Sequence, residues 1–260
     1  MIPKIIHYCW FGRGQMPELA VKCIESWKKF CPDYEIMLWN EDNFDINCNR
    51  YVKEAYESRK FAFVTDYVRL YAMYNYGGVY MDTDVMVLKS LDEYLHHQAF
   101  SGFESKTKIP TGIMACEKGY EVMADLLRFY DDAVFIKADG TFNIITNTET
   151  ITAMFTEWGF VPNGEYQEFK GMAFYPQNVF CPEHKRLNDN KYMKDTATIH
   201  YFAGSWKSEA TLKRERSLWW KVVAKVATLV SKIMTKLLGD KWTNAKNKVR
   251  DGVIEKEKEK

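Results

Sequence analysis

Apolar residues recur at helical spacing over residues 62–76, where Phe63, Tyr67, Leu70, Tyr71 and Tyr74 share one stripe. The pattern then alternates over residues 79–88, with Val79, Met81, Val85 and Val87 on one face and Tyr80, Asp82, Asp84, Met86 and Leu88 on the other. A helix followed by a strand is predicted, with the Gly77-Gly78 pair closing the helix in a left-handed cap. Upstream, residues 4–10 read as a buried first strand, and residues 17–30 as a helix carrying Ala20, Cys23, Ile24, Trp27 and Phe30 on one stripe. Residues 34–39 read as a second strand, ending in the polar turn Asn40-Glu41-Asp42-Asn43. Strand, helix, strand, helix, strand is a βαβ progression, so the expected fold class is α/β with a mostly parallel central sheet. Further on, short strands are expected over 99–104, 113–116 and 196–202. Helices are expected over 120–130 and from the polar turn at 146–150 to Trp158, capped by Asn147 or Thr148.

The pattern changes character after Trp206. Trp219, Val222, Val223, Val226, Leu229, Val230, Ile233, Met234 and Leu237 form an apolar helical stripe, with Lys221, Lys225, Lys232 and Lys236 opposite. Residues 207–250 hold twelve Lys and Arg against three acidic residues, a composition suited to a helix lying on an anionic membrane surface. The same stripe also suits docking on its own domain or on a second subunit. The expected organisation is a catalytic domain over 1–206 and a basic amphipathic helical tail over 207–260.

A formal net charge of +1 over 260 residues gives no global field for nucleic acid, and no nucleic-acid-binding signature is present. Six cysteines scattered without a Cys-x-x-Cys pair read as buried thiols of a reducing compartment. Residues 1–11 contain Lys4 and His7 and lack the apolar core of a signal peptide, and no apolar run reaches spanning length. A cytoplasmic protein is expected, held by its tail at the inner face of the cytoplasmic membrane.

The chemistry concentrates in one stretch. Two carboxylates on one face of an otherwise apolar strand, Asp82 and Asp84, repel each other when desolvated, and a divalent cation removes that repulsion. Hard oxygen ligands suit Mg²⁺ or Mn²⁺. Asp66 and Arg69, three apart on the preceding helix, are neighbours there, and read equally as a surface pair. Trp10, at the end of the first strand before a glycine turn, stands where α/β proteins place nucleotides, although a large aromatic there serves equally as core.

Asp66-x-x-Arg69 followed by Gly77-Gly78-x-Tyr80-x-Asp82-x-Asp84 resembles the Asp-x-Asp sugar-binding region of family 32 glycosyltransferases. That group includes capsular polysaccharide synthesis enzymes and initiation-specific mannosyltransferases, and the same run is similar to the catalytic domains of the large clostridial glucosylating toxins. The likeness extends to residues 2–12 (IPKIIHYCWFG) and, more weakly, to residues 200–206. It implies a GT-A-like nucleotide-sugar fold and a metal held by Asp82 and Asp84. It further implies that His200, or Ser205 with Trp206, returns to the metal and diphosphate. By the same resemblance Trp10 stacks on the base, Arg69 binds phosphate or sugar, Asp66 binds a sugar hydroxyl, and Tyr80 flanks the diphosphate or ribose.

The implied activity is transfer of a sugar from a nucleotide diphosphate sugar, UDP favoured over GDP, to an acceptor hydroxyl with retention of configuration. No residue identifies itself as the carboxylate a double displacement would need, so a same-face, oxocarbenium-like route is expected. The basic tail points to a glycan or glycolipid acceptor, as in capsule or lipopolysaccharide assembly. Alternatives are a protein-modifying glycosyltransferase, a non-catalytic nucleotide-sugar-binding or membrane scaffold protein, and a metal-dependent nucleotidyltransferase or phosphatase. The chain departs from the family pattern at Pro110-Thr111-Gly112, where many relatives carry an Asn, with Thr111 the available sugar-hydroxyl partner. It departs again at Thr146-Asn147-Thr148-Glu149-Thr150, where the family shows Thr-Gly-Pro.

Overall fold

A computed structural model describes residues 1–204 of the chain. The N-terminal half follows the expected alternation: β1 (Ile5–Cys9), α1 (Glu18–Phe30), β2 (Glu35–Trp39), α2 (Arg50–Glu57), α3 (Phe61–Tyr76) and β3 (Gly78–Met81). Then come β4 (Val85–Val87), β5 (Ala99–Gly102), β6 (Ile113–Cys116), α4 (Glu121–Arg128), α5 (Asn147–Glu157), β7 (Gln167–Phe169), β8 (Met172–Tyr175) and β9 (Thr198–His200), with shorter turns of helix between. Helix α2 was not read from the pattern, although its start is marked by Asn49, whose side chain accepts from the backbone N–H groups of Tyr51 and Val52. The strands β7 and β8 were not anticipated either. The tail expected over 207–260 lies outside the described residues, as do Ser205 and Trp206. Among the described residues no helix is long and apolar enough to cross a membrane.

The central sheet runs β2-β1-β3-β6-β5-β8-β7. β2, β1 and β3 are parallel, β5 and β8 share their direction, and β6 and β7 run against them. This is the α/β class read from the alternation, with most strands pointing one way. Alternating residues send the two faces of the sheet into two cores. Val79 and Met81 of β3, with Ile113 and Ala115 of β6, pack on the α1 side with Trp27. Tyr80, Met114 and Cys116 pack on the α2–α3 side. Helix α3 is buried on more than the predicted stripe, because Val64, Asp66, Val68, Arg69, Ala72 and Met73 are enclosed together with Phe63 and Leu70. Five of the six cysteines are buried free thiols, whereas Cys48 is exposed.

The continuous strand expected over 79–88 is two strands. The Val85 N–H donates to the Asp82 carbonyl at 3.0 Å and closes a turn, after which β4 leaves the central sheet and pairs antiparallel with β9. Helix α1 draws it away: the Trp27 indole donates to the Val85 carbonyl at 2.7 Å, and the Ser26 hydroxyl accepts from the Val87 N–H at 2.9 Å. The glycine pair also differs in detail. Gly77 has φ 67° but ψ −175°, so it ends α3 with a positive φ outside the left-handed helical basin. Gly78 has φ 108°, and a Cβ there would stand 2.6 Å from the Ile5 carbonyl oxygen, so helix and strand meet too closely for a side chain.

The same junction is locked by a buried histidine. His7 accepts from the Trp39 indole through Nδ1 at 3.1 Å and donates to the Gly77 carbonyl through Nε2 at 2.8 Å, which requires the neutral ring. Burial pulls its pKa below the ordinary 6.5, against the hydrogen bond to Gly77. The unfolded chain therefore binds a proton that the folded one refuses. His7 contributes stability that is complete above about pH 6.5 and is lost as the pH falls below it. In urea titrations at pH 7.5 and 5.5, His7→Gln is expected to lose less stability on acidification than the wild type. Equal losses would show that His7 is not the group responsible.

Candidate active site

The site is built where α3, the end of β3 and the start of β6 meet, and its hub is Arg69. This side chain is 5% exposed and uses all five guanidinium N–H donors within the protein. Nε donates to the Thr65 carbonyl at 3.3 Å; Nη1 donates to Asp82 Oδ1 at 3.2 Å and to the Thr111 carbonyl at 2.5 Å. Nη2 donates to the Thr65 hydroxyl at 3.3 Å and to Asp66 Oδ1 at 3.2 Å. The guanidinium carbon lies 4.6 Å from the centroid of the Tyr80 ring. The Asp66–Arg69 pair is therefore a buried tie joining a helix to two strand ends. Burial pushes the Asp66 carboxyl up to about 7 against Arg69, whose charge is shared with Asp82. The expectation that Arg69 reaches phosphate or sugar is corrected, because every one of its donors has a protein acceptor.

Asp82 and Asp84 flank the turn after β3, and the β4–β9 pairing brings His200 alongside, opposite Val85. Ligand atoms of Asp82, Asp84 and His200 lie within 4.8 Å of one another, close enough to hold one metal ion between them. Asp82 Oδ1 accepts from the Tyr80 hydroxyl at 3.0 Å as well as from Arg69, which leaves Oδ2 as its open oxygen among the described residues. Asp84 pairs with His200 Nε2 at 3.2 Å and accepts from the Ala203 N–H at 2.7 Å, so it fixes the returning strand. Burial opposes ionisation of Asp84, but His200 and the Ala203 N–H outweigh it and lower its pKa.

Two observations fit a cation to these donors. His200 Nδ1 is buried with no hydrogen-bond partner among the described residues. Gly112 keeps that space open: a Cβ there would stand 2.6 Å from His200 Nδ1 and 3.4 Å from Asp82 Oδ2. Burial disfavours a charged His200 ring, yet Asp84, Cys181 and Asp82 raise its pKa to about 10. A cation held there would take over the positive charge that the imidazolium supplies beside the two carboxylates. Mn²⁺ accepts a mixed oxygen and imidazole set.

The remaining predicted residues divide. Tyr80 reaches the site only through its hydroxyl, since its ring is 1% exposed, and it supports Asp82 rather than offering a surface to a diphosphate. Trp10 is half-buried just beyond β1; its backbone N–H bonds to the Trp39 carbonyl at 2.9 Å and its indole donates to Gly14 at 2.6 Å. Thr111 holds Arg69 by its carbonyl, while its hydroxyl stands 3.4 Å from that of Thr148. Thr146, rather than Asn147 or Thr148, caps α5, accepting from the Glu149 N–H at 3.4 Å.

Asn147 has a different task, unread in the sequence. It is buried, donates to the Asp66 carbonyl at 3.2 Å and accepts from the Tyr130 hydroxyl at 3.3 Å, tying the start of α5 to the site. Its position inside the departure from the family turn was the available signal. Removing one member of a buried ionic cluster leaves the others uncompensated, at a cost of about 3–5 kcal/mol. Arg69→Met is expected to lose stability of that order in urea unfolding, and Arg69→Lys, without the planar fork, most of it. A loss under about 1 kcal/mol would remove Arg69 from its place as hub.

Comparison with known proteins places this geometry. Residues 17–101 match the profile of the glycosyltransferase sugar-binding region containing the DXD motif, a span that includes Asp66, Arg69, Tyr80, Asp82 and Asp84. Inositol phosphoceramide mannosyltransferase 3 of Schizosaccharomyces pombe is 32% identical over 131 residues, covering 49% of this chain and 36% of that protein. Mannosyl phosphorylinositol ceramide synthase CSH1 of Saccharomyces cerevisiae is 29% identical over 122 residues, covering 44% of this chain and 31% of that one. The chain thus spans about a third of the length of the curated relatives it matches. Among solved structures, a glycosyltransferase involved in the glycosylation of the major capsid of PBCV-1 aligns at a TM-score of 0.46 and 14% identity, covering 80% of this chain and 97% of that chain. Over residues 17–101, with Asp82 and Asp84 as its DXD pair, the chain matches the glycosyltransferase sugar-binding region containing the DXD motif.

Proposed function

We propose that this protein is a metal-dependent, retaining glycosyltransferase that moves a hexosyl group from a nucleotide diphosphate sugar to a hydroxyl of a glycan or glycolipid. The observation that carries the reading is the convergence of Asp82, Asp84 and His200 inside the DXD region. Mn²⁺ or Mg²⁺ held by these three residues would supply charge neutralisation to the diphosphate as it leaves. Arg69 and Tyr80 position Asp82 from beneath, and Asp84 holds the His200 strand at the correct distance. Trp10, at the carboxyl end of β1, is the candidate base platform, and it supports a uridine nucleotide. The mannosyltransferase names of the relatives support a mannosyl donor, so UDP- and GDP-sugars both belong in the first screen.

Those names also specify inositol phosphoceramide acceptors, and with the basic tail they support a lipid-linked acceptor over a free sugar. Ser205 and Trp206 are proposed to return to the diphosphate from beyond β9. The tail over 207–260 is proposed to hold the protein on an anionic membrane, at the inner face of the cytoplasmic membrane.

Melting temperature and free-sugar release are the measurements, with UDP- and GDP-hexoses in the presence and absence of Mn²⁺. One donor is expected to raise the melting temperature and release its sugar slowly, in both cases only with Mn²⁺. Asp84→Asn is expected to lose the metal-dependent shift and at least 100-fold in release; full activity in that variant would overturn the metal assignment. Cosedimentation with vesicles containing anionic lipid tests the tail. Removal of residues 218–260 is expected to abolish binding, and binding that persists would reject the tail as anchor.

A further inference from the structure

One carboxylate beside the cation cluster has no part in the reading above. Beyond β5 the chain runs through Phe103 to Glu104, whose N–H donates to the Lys108 carbonyl at 3.0 Å and whose carbonyl accepts from Gln177 Nε2 at 2.6 Å. Both bonds fix the backbone, and neither uses the side chain. β5 and β6 pair antiparallel with Ala99 opposite Cys116 and Phe100 opposite Ala115. Beyond that pairing the Ser101 hydroxyl donates to the Ile113 carbonyl at 3.0 Å and Ser105 bridges to Lys108, so Glu104 sits in the connection that leads back through Thr111, the residue that holds Arg69, to Gly112, which receives the Asp82 N–H at 2.9 Å.

The side chain therefore belongs to the rim of the site. It lies within electrostatic range of His200, Asp82, Lys108 and Glu149. It is nevertheless outside the group of atoms close enough to share a cation, which contains Asp82, Asp84 and His200 alone among the described residues. Glu104 is half-buried, yet among the described residues its carboxylate accepts no hydrogen bond and forms no ion pair. Burial raises its pKa, against the opposing charges of His200 and Lys108. Its oxygens are reached by solvent rather than sealed in, so a ligand that displaces that water must supply donors to them.

Its charge decides what meets that need. A carboxylate repels a diphosphate, so Glu104 is not part of the phosphate cradle. Sugar hydroxyls are neutral donors, and one carboxylate accepts from two of them. The sugar of the donor is attached to the diphosphate, beside the cation and not on it. We propose that Glu104 is a substrate-binding residue that accepts hydrogen bonds from the hydroxyls of the donor sugar. This rests on the glycosyl-transfer reading, and it assigns the sugar side of the site to the end of β5. A carboxylate there also favours positive charge growing on the sugar ring, so its effect is larger on turnover than on binding.

The test uses the full chain as wild type, Glu104→Gln and Glu104→Asp. Two quantities are read: the melting shift with nucleoside diphosphate and Mn²⁺, and Mn²⁺-dependent sugar release from the donor selected by the screen. Glu104→Gln is expected to keep the nucleoside diphosphate shift and to lose at least tenfold in sugar release. Glu104→Asp, which keeps the charge one methylene back, is expected to recover part of that loss. Release within twofold of wild type at unchanged KM would overturn the proposal. A nucleoside diphosphate shift lost together with activity would overturn it too, because Glu104 would then support the cation site. If Glu104→Gln melts well below wild type without ligand, Glu104→Asp alone decides: loss of release with the nucleoside diphosphate shift kept supports the sugar contact, and release at the wild-type rate and KM rejects it. Sugar release by the wild type from none of the donors would overturn the glycosyl-transfer reading itself, and this assignment with it.

Discussion

A guanidinium taken out of water keeps its charge only if every N–H finds an acceptor, and Arg69 meets that condition entirely within the protein. The consequence is geometric. Its acceptors belong to one turn of α3, to the residue after β3 and to the loop before β6, so one planar group fixes three segments at once. Without it Asp66 and Asp82 would face each other across a poorly solvated space, and like charges there cannot both stay ionised. The two carboxylates, the Tyr80 hydroxyl and the Thr111 carbonyl are best understood as a shell around this cation.

On that base the chain makes its turn. Asp82 is anchored from below, and the backbone reverses at once so that β4 can pack on α1 and recruit β9. The small β4–β9 sheet delivers His200 from a distant part of the chain to Asp84. A donor set assembled this way is held from two sides: Asp82 by the α3 core and Asp84 by the second sheet. The open atoms, Asp82 Oδ2 and His200 Nδ1, then face the gap kept by Gly112.

The distribution of rigidity matches the division of labour proposed for the site. Arg69, Tyr80 and Asp66 are enclosed, so they hold geometry. Trp10 and Glu104 are half-buried at the ends of β1 and β5, at the carboxyl edge of the sheet where α/β proteins bind ligands. Base, diphosphate and sugar would then lie across the strand ends in the order β1, β3, β5, with the reversed β6 between the last two supplying Gly112 as clearance.

Much of this was legible in the residues themselves. Periodicity located α1, α3, β1, β2 and β6 because each has one apolar face, and the spacing from Asp66 to Asp84 pointed to the DXD sugar-binding region because that motif is local in sequence. The break at Asp82–Asp84 was not legible, since Val79, Met81, Val85 and Val87 alternate as an unbroken strand would; the indole of Trp27 and the hydroxyl of Ser26, remote in sequence, decide it. The inward use of Arg69 was equally hidden, because a helix pattern cannot tell a surface ion pair from a buried one until the other elements close over it. Asn147 and Glu104 carry no spacing signal at all. What the sequence determined alone was the alternation of elements from β1 to β3 and the place of the Asp82–Asp84 pair of the DXD motif, for these depend on neighbours along the chain. Which charges are buried as supports and which are left open at the rim was decided only by tertiary structure, because burial and hydrogen-bond partners are properties of segments that meet in space.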